Sequence, residues 1–172
     1  MRQAVPDHEE LGWQVAAAAE RLLRQLRRLH YCVATAESLT GGLVCASLAA
    51  VNGASLVLRG GIVAYQEQIK RRLLGVDAQL LADKGTVDAE VARQLADGAA
   101  RTLAADLALA TTGAAGPTGV GAHPPGTGFI ALALPTGQTL ARAFAFAGDR
   151  NQVRLQVTAE ILAWAEEQVS VL

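Results

Sequence analysis

At 172 residues the chain suits one domain around a single closed core, and one functional site rather than two is the natural expectation. Apolar residues make up 51% of it, charged residues 18% and aromatic residues 4%, so the core has to be built from Ala, Leu and Val rather than from rings. The 15 basic and 16 acidic residues balance to a net charge of −1, which leaves no electrostatic footprint for DNA, RNA or an anionic membrane.

In chain order, residues 1–8 read as a loose N-terminal extension. From Glu9 to Arg28 the residues Leu11, Val15, Ala18, Leu22, Leu26 and Leu29 recur every three or four positions, the mark of a helix with one buried stripe. Arg21, Arg24, Arg27 and Arg28 fall on its wet side and read as a solvated face. A short β-branched strand over Tyr31 to Thr35 follows, then a tight turn through Glu37, Ser38, Leu39, Thr40, Gly41 and Gly42, then a helix to about Ala50. Gly60 and Gly61 open a second strand through Tyr65, and Gln66 to Leu74 reads as a helix closed by a left-handed Gly75.

Asp77 and Asp88 each cap a further helix, the second running from Ala89 to about Ala104. Leu107 to Thr111 is a buried-type strand that runs into the glycine-rich stretch Gly113 to Gly121. Two strands, Phe129 to Leu134 and Thr139 to Phe146, flank Pro135-Thr136-Gly137-Gln138 as a hairpin, and Asp149 caps a terminal helix. Strands alternating with helices and closing on a hairpin predict an α/β fold of three layers, α/β/α. Its sheet should be mixed and mostly parallel, with an antiparallel hairpin at one edge. No linker or internal repeat divides residues 1–172, so one domain is expected.

Cys32 and Cys45 are too few for a disulfide framework and read as buried free thiols, one in a strand and one in a helix. The histidines His8, His30 and His123 show no metal-ligand spacing, so no metal is expected. No apolar run reaches the roughly 18 residues of a membrane span. Met1 to Glu10 is unlike a signal peptide, which points to the cytoplasm. Alanine-rich helices and the apolar end Val169, Val171 and Leu172 suit a symmetric homodimer.

The chemistry concentrates at the strand ends. Ser38 lies between a strand and a helix N-terminus, where unpaired N–H groups favour a developing negative charge, although Ser38 or Thr40 could equally be a helix cap. Lys70 follows the second strand, so adjacent parallel strands would bring it to the same rim as Ser38 and make a Ser–Lys dyad available. An ordinary exposed lysine beside Arg71 and Arg72 is the bland reading, and a basic role would require its pKa to fall. The glycine stretch, with Thr111, Thr112 and Thr118, could offer N–H and hydroxyl donors to a phosphate or a carbonyl. His123 as the base of a rival triad is disfavoured by its place in a Gly- and Pro-rich segment.

Taken together, Thr35-Ala36-Glu37-Ser38-Leu39-Thr40-Gly41-Gly42, Gly60-Gly61-Ile62-Val63-Ala64-Tyr65 with Lys70, Thr112-Gly113-Ala114-Ala115-Gly116-Pro117, and Gly148-Asp149-Arg150 resemble the CinA C-terminal family, from about Leu11 to the C-terminus. This resemblance implies a three-layer fold and a nicotinamide-nucleotide amidase, which hydrolyses nicotinamide mononucleotide to the nicotinate nucleotide and ammonia without metal or organic cofactor. It casts Ser38 as nucleophile, Lys70 as base and Tyr65 as a positioning group. The backbone around Thr40, Gly41 and Gly42 would stabilise the anion, Thr112, Gly113 and Gly116 would line the nucleotide pocket, and Arg150 would meet the phosphate. Larger family members carry an additional N-terminal domain, so a stand-alone form is expected here. Leu39, Glu67 and His123-Pro124-Pro125 depart from the family pattern and bear on substrate choice. A silent relative that binds a nucleotide or a partner protein, and an amidohydrolase of another small carboxamide, are the competing readings.

Overall fold

The computed structural model describes residues 5–172. Six helices and five strands follow in the order α1 (His8–Leu29), β1 (Val33–Glu37), α2 (Leu43–Ala49), β2 (Leu58–Val63), α3 (Glu67–Leu74), α4 (Ala78–Lys84), α5 (Ala89–Leu103), β3 (Leu107–Ala114), β4 (Thr127–Ala133), β5 (Thr139–Ala145) and α6 (Arg150–Ser170). The strands form one sheet in the order β2-β1-β3-β4-β5. β1 runs parallel to both β2 and β3, and β4 and β5 complete the sheet as an antiparallel hairpin at one edge.

Residue size alternates across the sheet and decides what covers each face. Val33, Leu107, Leu109, Ile130 and Leu132 point to one side and pack under α1, α2 and α6. Ala36, Ala108, Ala110, Ala131 and Ala133 point to the other, where α5 lies on them through Ala92, Ala96 and Ala99. Small residues on both partners let α5 come close. Its Gly98 touches the end of α3 so tightly that an added Cβ would run into the Leu74 carbonyl. Gly98→Ala is therefore expected to destabilise by about 1–3 kcal/mol through forced repacking, a Tm fall of roughly 3–10 °C in thermal melts. An unchanged Tm would mean that α5 is not held at that distance.

Aspartates start four of the helices, as expected for Asp77, Asp88 and Asp149. Asp77 accepts from Leu80 N–H, Asp88 from Glu90 N–H, and Asp149 forms a reciprocal capping box with Gln152. Asp7 likewise accepts from Glu10 N–H and starts α1 at His8, while the Pro6 carbonyl accepts from Gln152 Nε2 at 3.1 Å. Within the span expected as a loose extension, residues 1–8, Pro6 and Asp7 are thus hydrogen-bonded to α6 and α1 and His8 is the first residue of α1, though Asp7 and His8 remain exposed; residues 1–4 lie outside the described residues.

Several boundaries also shift. β1 occupies Val33–Glu37 rather than Tyr31 to Thr35, because the Tyr31 N–H still closes the end of α1 on Leu26 O. β3 extends to Ala114 because β4 pairs with it along its whole length. Cys32 precedes β1 and Cys45 lies on α2, both half-buried rather than fully buried. Val169 packs in the core, leaving Val171 and Leu172 exposed. Among the described residues no helix is long and apolar enough to cross a membrane, and no His, Cys, Asp and Glu group could hold a metal ion.

Candidate active site

Chain direction gathers the chemistry at one rim. β1, β2 and β3 are parallel, and the chain goes from β1 to β2 on one side and then to β3 on the other, so a crevice opens beyond their C-terminal ends. Ser38 follows β1, Tyr65 follows β2, and Thr111 and Thr112 lie near the end of β3. A cleft of about 260 Å³ there is lined by Ser38, Leu39, Tyr65, Thr86, Thr112, Thr118, Val120, Arg150 and the stretch 113–116. Arg150 is the one charged side chain in that described lining. A wider groove of about 420 Å³ between α1 and α6 holds no comparable pair of reacting groups.

Lys70 is wholly buried, against the bland reading of its sequence neighbourhood. Together with Leu74 it forms the buried stripe of α3, while Arg71 and Arg72 face solvent. Its Nζ donates to Ser38 Oγ at 3.0 Å, to the Ala64 carbonyl, and to the Tyr65 carbonyl at 3.3 Å. These acceptors match the three hydrogens of an ammonium. When one proton is lost, the two carbonyls can retain the two remaining N–H bonds and the lone pair faces the serine hydroxyl. Burial pushes the Lys70 pKa down from 10.5 to about 8, outweighing the Glu67 carboxylate, which pulls it upward. Glu67, itself exposed, therefore opposes this lowering without cancelling it.

Of the anion cradle expected at Thr40, Gly41 and Gly42, internal hydrogen bonds take up the Gly41 and Gly42 N–H groups and leave that of Thr40. Glu37, 1% exposed, turns its carboxylate onto the start of α2 and accepts from the N–H groups of Gly42 (2.9 Å), Val44 (3.0 Å) and Cys45 (2.8 Å). Gly41 N–H is held by Ser38 O at 3.2 Å, and the Thr40 hydroxyl donates to Glu37 at 2.8 Å. A helix end already holding a carboxylate has little left for a second anion. The N–H groups of Leu39 and Thr40 meet no acceptor among the described residues, and Leu39 lines the cleft. The donors open to an oxyanion beside Ser38 thus lie immediately after it, the usual place for a nucleophile on a strand-to-helix turn.

Tyr65 reaches Lys70 through its carbonyl, not its ring. Its phenol oxygen accepts from Arg150 Nη2 at 2.8 Å, and Arg150 Nη1 donates to Gly116 O at 2.7 Å, so the guanidinium spans the cleft mouth. Thr112 and Gly113 line the cleft as expected, with the Thr112 hydroxyl bonded to Thr86 O. Part of the glycine richness has a packing cause: a Cβ on Gly113 would lie 2.7 Å from Thr127 O across the β3–β4 pair. His123 is not brought to Ser38; its backbone pairs with Val120 and its ring meets Phe129 edge-on.

Glu37 and Thr86 carry no expectation as site-building groups from the sequence, and Thr111, expected as a donor to a ligand, is instead fully buried with its hydroxyl on that of Thr40. A carboxylate at the end of a buried strand, and consecutive threonines closing an otherwise aliphatic one, were the available signals for Glu37 and Thr111. Thr86 had none beyond its place before a helix cap.

The model of the CinA C-terminal domain matches residues 15–169. A CinA-like protein of Geobacter sulfurreducens is 38% identical over 167 residues, covering 94% of this chain and 40% of the relative. Another, of Anaeromyxobacter sp., is 50% identical over 131 residues, covering 76% of this chain and 32% of the relative. The chain therefore spans well under half the length of these relatives. Among solved structures, a CinA superfamily protein of Klebsiella pneumoniae superposes with a TM-score of 0.89 at 29% identity, covering 92% of this chain and 99% of that one. The competence/damage inducible protein CihA of Agrobacterium tumefaciens gives a TM-score of 0.85 at 32% identity, with 94% and 96% covered. By sequence over nearly its whole length, and by fold, the chain belongs to the CinA C-terminal domain family.

Proposed function

We propose that this chain is an amidohydrolase acting on the carboxamide of nicotinamide mononucleotide, with Ser38 as nucleophile and Lys70 as base. The observation that carries the reading is the buried Lys70 amine, 3.0 Å from Ser38 Oγ, with a pKa lowered to about 8. Ser38 Oγ attacks the amide carbon while Lys70 takes the hydroxyl proton. The Leu39 and Thr40 N–H groups hold the oxyanion, and the C–N bond breaks as Lys70 returns the proton to the departing ammonia. Water, deprotonated by Lys70, then opens the ester, leaving the carboxylate product and free Ser38.

Arg150 supplies the cleft's positive charge and would exchange its contacts with Tyr65 and Gly116 for the phosphate. A charge-assisted bond is worth about 1.5–3 kcal/mol. Arg150→Ala is thus expected to raise KM for the mononucleotide by roughly 10- to 100-fold and to leave KM for the dephosphorylated riboside within about threefold. Equal effects on both substrates would remove Arg150 from the phosphate.

Ammonia release from nicotinamide mononucleotide by the purified chain, beside Ser38→Ala, tests the function. Release lost in the variant supports the amidase. Silence of both folded proteins on the mononucleotide and on a panel of other small carboxamides would favour a binding-only member of the family.

A further inference from the structure

The fully buried Glu37 sits beside the nucleophile but does not reach it. Five donors converge on its carboxylate: the hydroxyls of Thr35 and Thr40 and the N–H groups of Gly42, Val44 and Cys45. Capping α2 would use only the three N–H groups; the Thr40 hydroxyl leads elsewhere. Its Oγ1 lies 2.8 Å from Thr111 Oγ1, both side chains being fully buried. A hydroxyl has one hydrogen, and that of Thr40 goes to a carboxylate that only accepts. Thr111 must therefore be the donor to Thr40. Its oxygen remains free to accept, and the Ser38 N–H lies 3.4 Å from it and 3.0 Å from the Thr111 carbonyl. The run is directed throughout: Ser38 N–H to Thr111 hydroxyl, to Thr40 hydroxyl, to Glu37 carboxylate. Bonds aligned in one sense polarise and stiffen one another in a dry interior.

We propose that Glu37, acting through Thr40 and Thr111, is the positioning residue that fixes the Ser38 main chain so that its Oγ faces Lys70 and the Leu39 and Thr40 N–H groups face the same point. Arg154 holds the turn from the opposite side, with Nε at 3.2 Å and Nη2 at 2.7 Å from Thr40 O. The assignment rests on Ser38 being the nucleophile, and its test separates the two.

Covalent capture of Ser38 by a small alkyl phosphonofluoridate is timed by mass spectrometry in wild type, Ser38→Ala, Thr111→Val, Thr111→Ser, Thr40→Val and Thr40→Ser, with kcat and KM for ammonia release beside it. Valine keeps the shape and removes the hydroxyl; serine keeps the hydroxyl. The expected result is capture slowed at least tenfold in both valine variants, kcat falling in parallel, KM within about threefold, and recovery to within about threefold in the serine variants. Folded valine variants captured at the wild-type rate would overturn the relay while leaving the nucleophile standing. Valine variants that fail to fold would make the hydroxyls structural and overturn it too. Wild type that is not captured at Ser38 would instead reject the Ser38 reading and the relay with it.

Discussion

Ser38→Ala is expected to lower ammonia release by roughly 10⁴- to 10⁶-fold, the scale on which loss of a serine nucleophile acts in enzymes that work through an acyl intermediate. The residue is otherwise cheap to change. Ser38 is half-buried, its N–H is held by Thr111 whatever the side chain, and Lys70 keeps the Ala64 and Tyr65 carbonyls as partners. Stability should therefore stay within about 1 kcal/mol of wild type, as for most substitutions that open no large cavity. That contrast gives the measurement its force. Activity that survives in a folded Ser38→Ala protein would mean that water attacks directly or that another group is the nucleophile.

How much of this was legible beforehand follows from which signals are local. Helix starts were readable because a cap is a short-range device: Asp77, Asp88 and Asp149 act on residues two or three positions on. The three layers were readable from alternating elements. The pairing of Ser38 with Lys70 was inferable only as an option, since 32 residues separate them and nothing but the parallel β1–β2 register joins them. Least visible was the role of Glu37. An acid ending a strand reads as an exposed residue until the Thr35 and Thr40 hydroxyls and a helix start are known to converge on it, and the last of these arises only from α2 folding back over the end of β1. The same blindness set the anion site too far along the turn, because the Gly42 N–H is already held by Glu37 and the Gly41 N–H by Ser38 O.

Lys70→Met should lower kcat by roughly 10²- to 10⁴-fold, the usual contribution of a positioned general base, and wild-type kcat/KM should rise with pH through about 8 and then level. Stability gives an independent check on the same amine. Its native pKa of about 8 lies below its ordinary 10.5. Between those values the unfolded chain binds a proton that the folded chain does not, so stability must increase with pH across that window. Below about pH 8 both states are protonated and the full cost of burying the charge is present. The fall from 10.5 to about 8 corresponds to a gain of about 3 kcal/mol by pH 10.5. Methionine has no proton to lose, and it leaves the Ala64 and Tyr65 carbonyls without their donor, so the offset between the two proteins at one pH mixes several effects. The slope does not. In denaturant unfolding at pH 7, 8, 9 and 10, wild type minus Lys70→Met should climb steadily above pH 8, and parallel curves would mean that Lys70 keeps its ordinary pKa and cannot be the base at neutral pH.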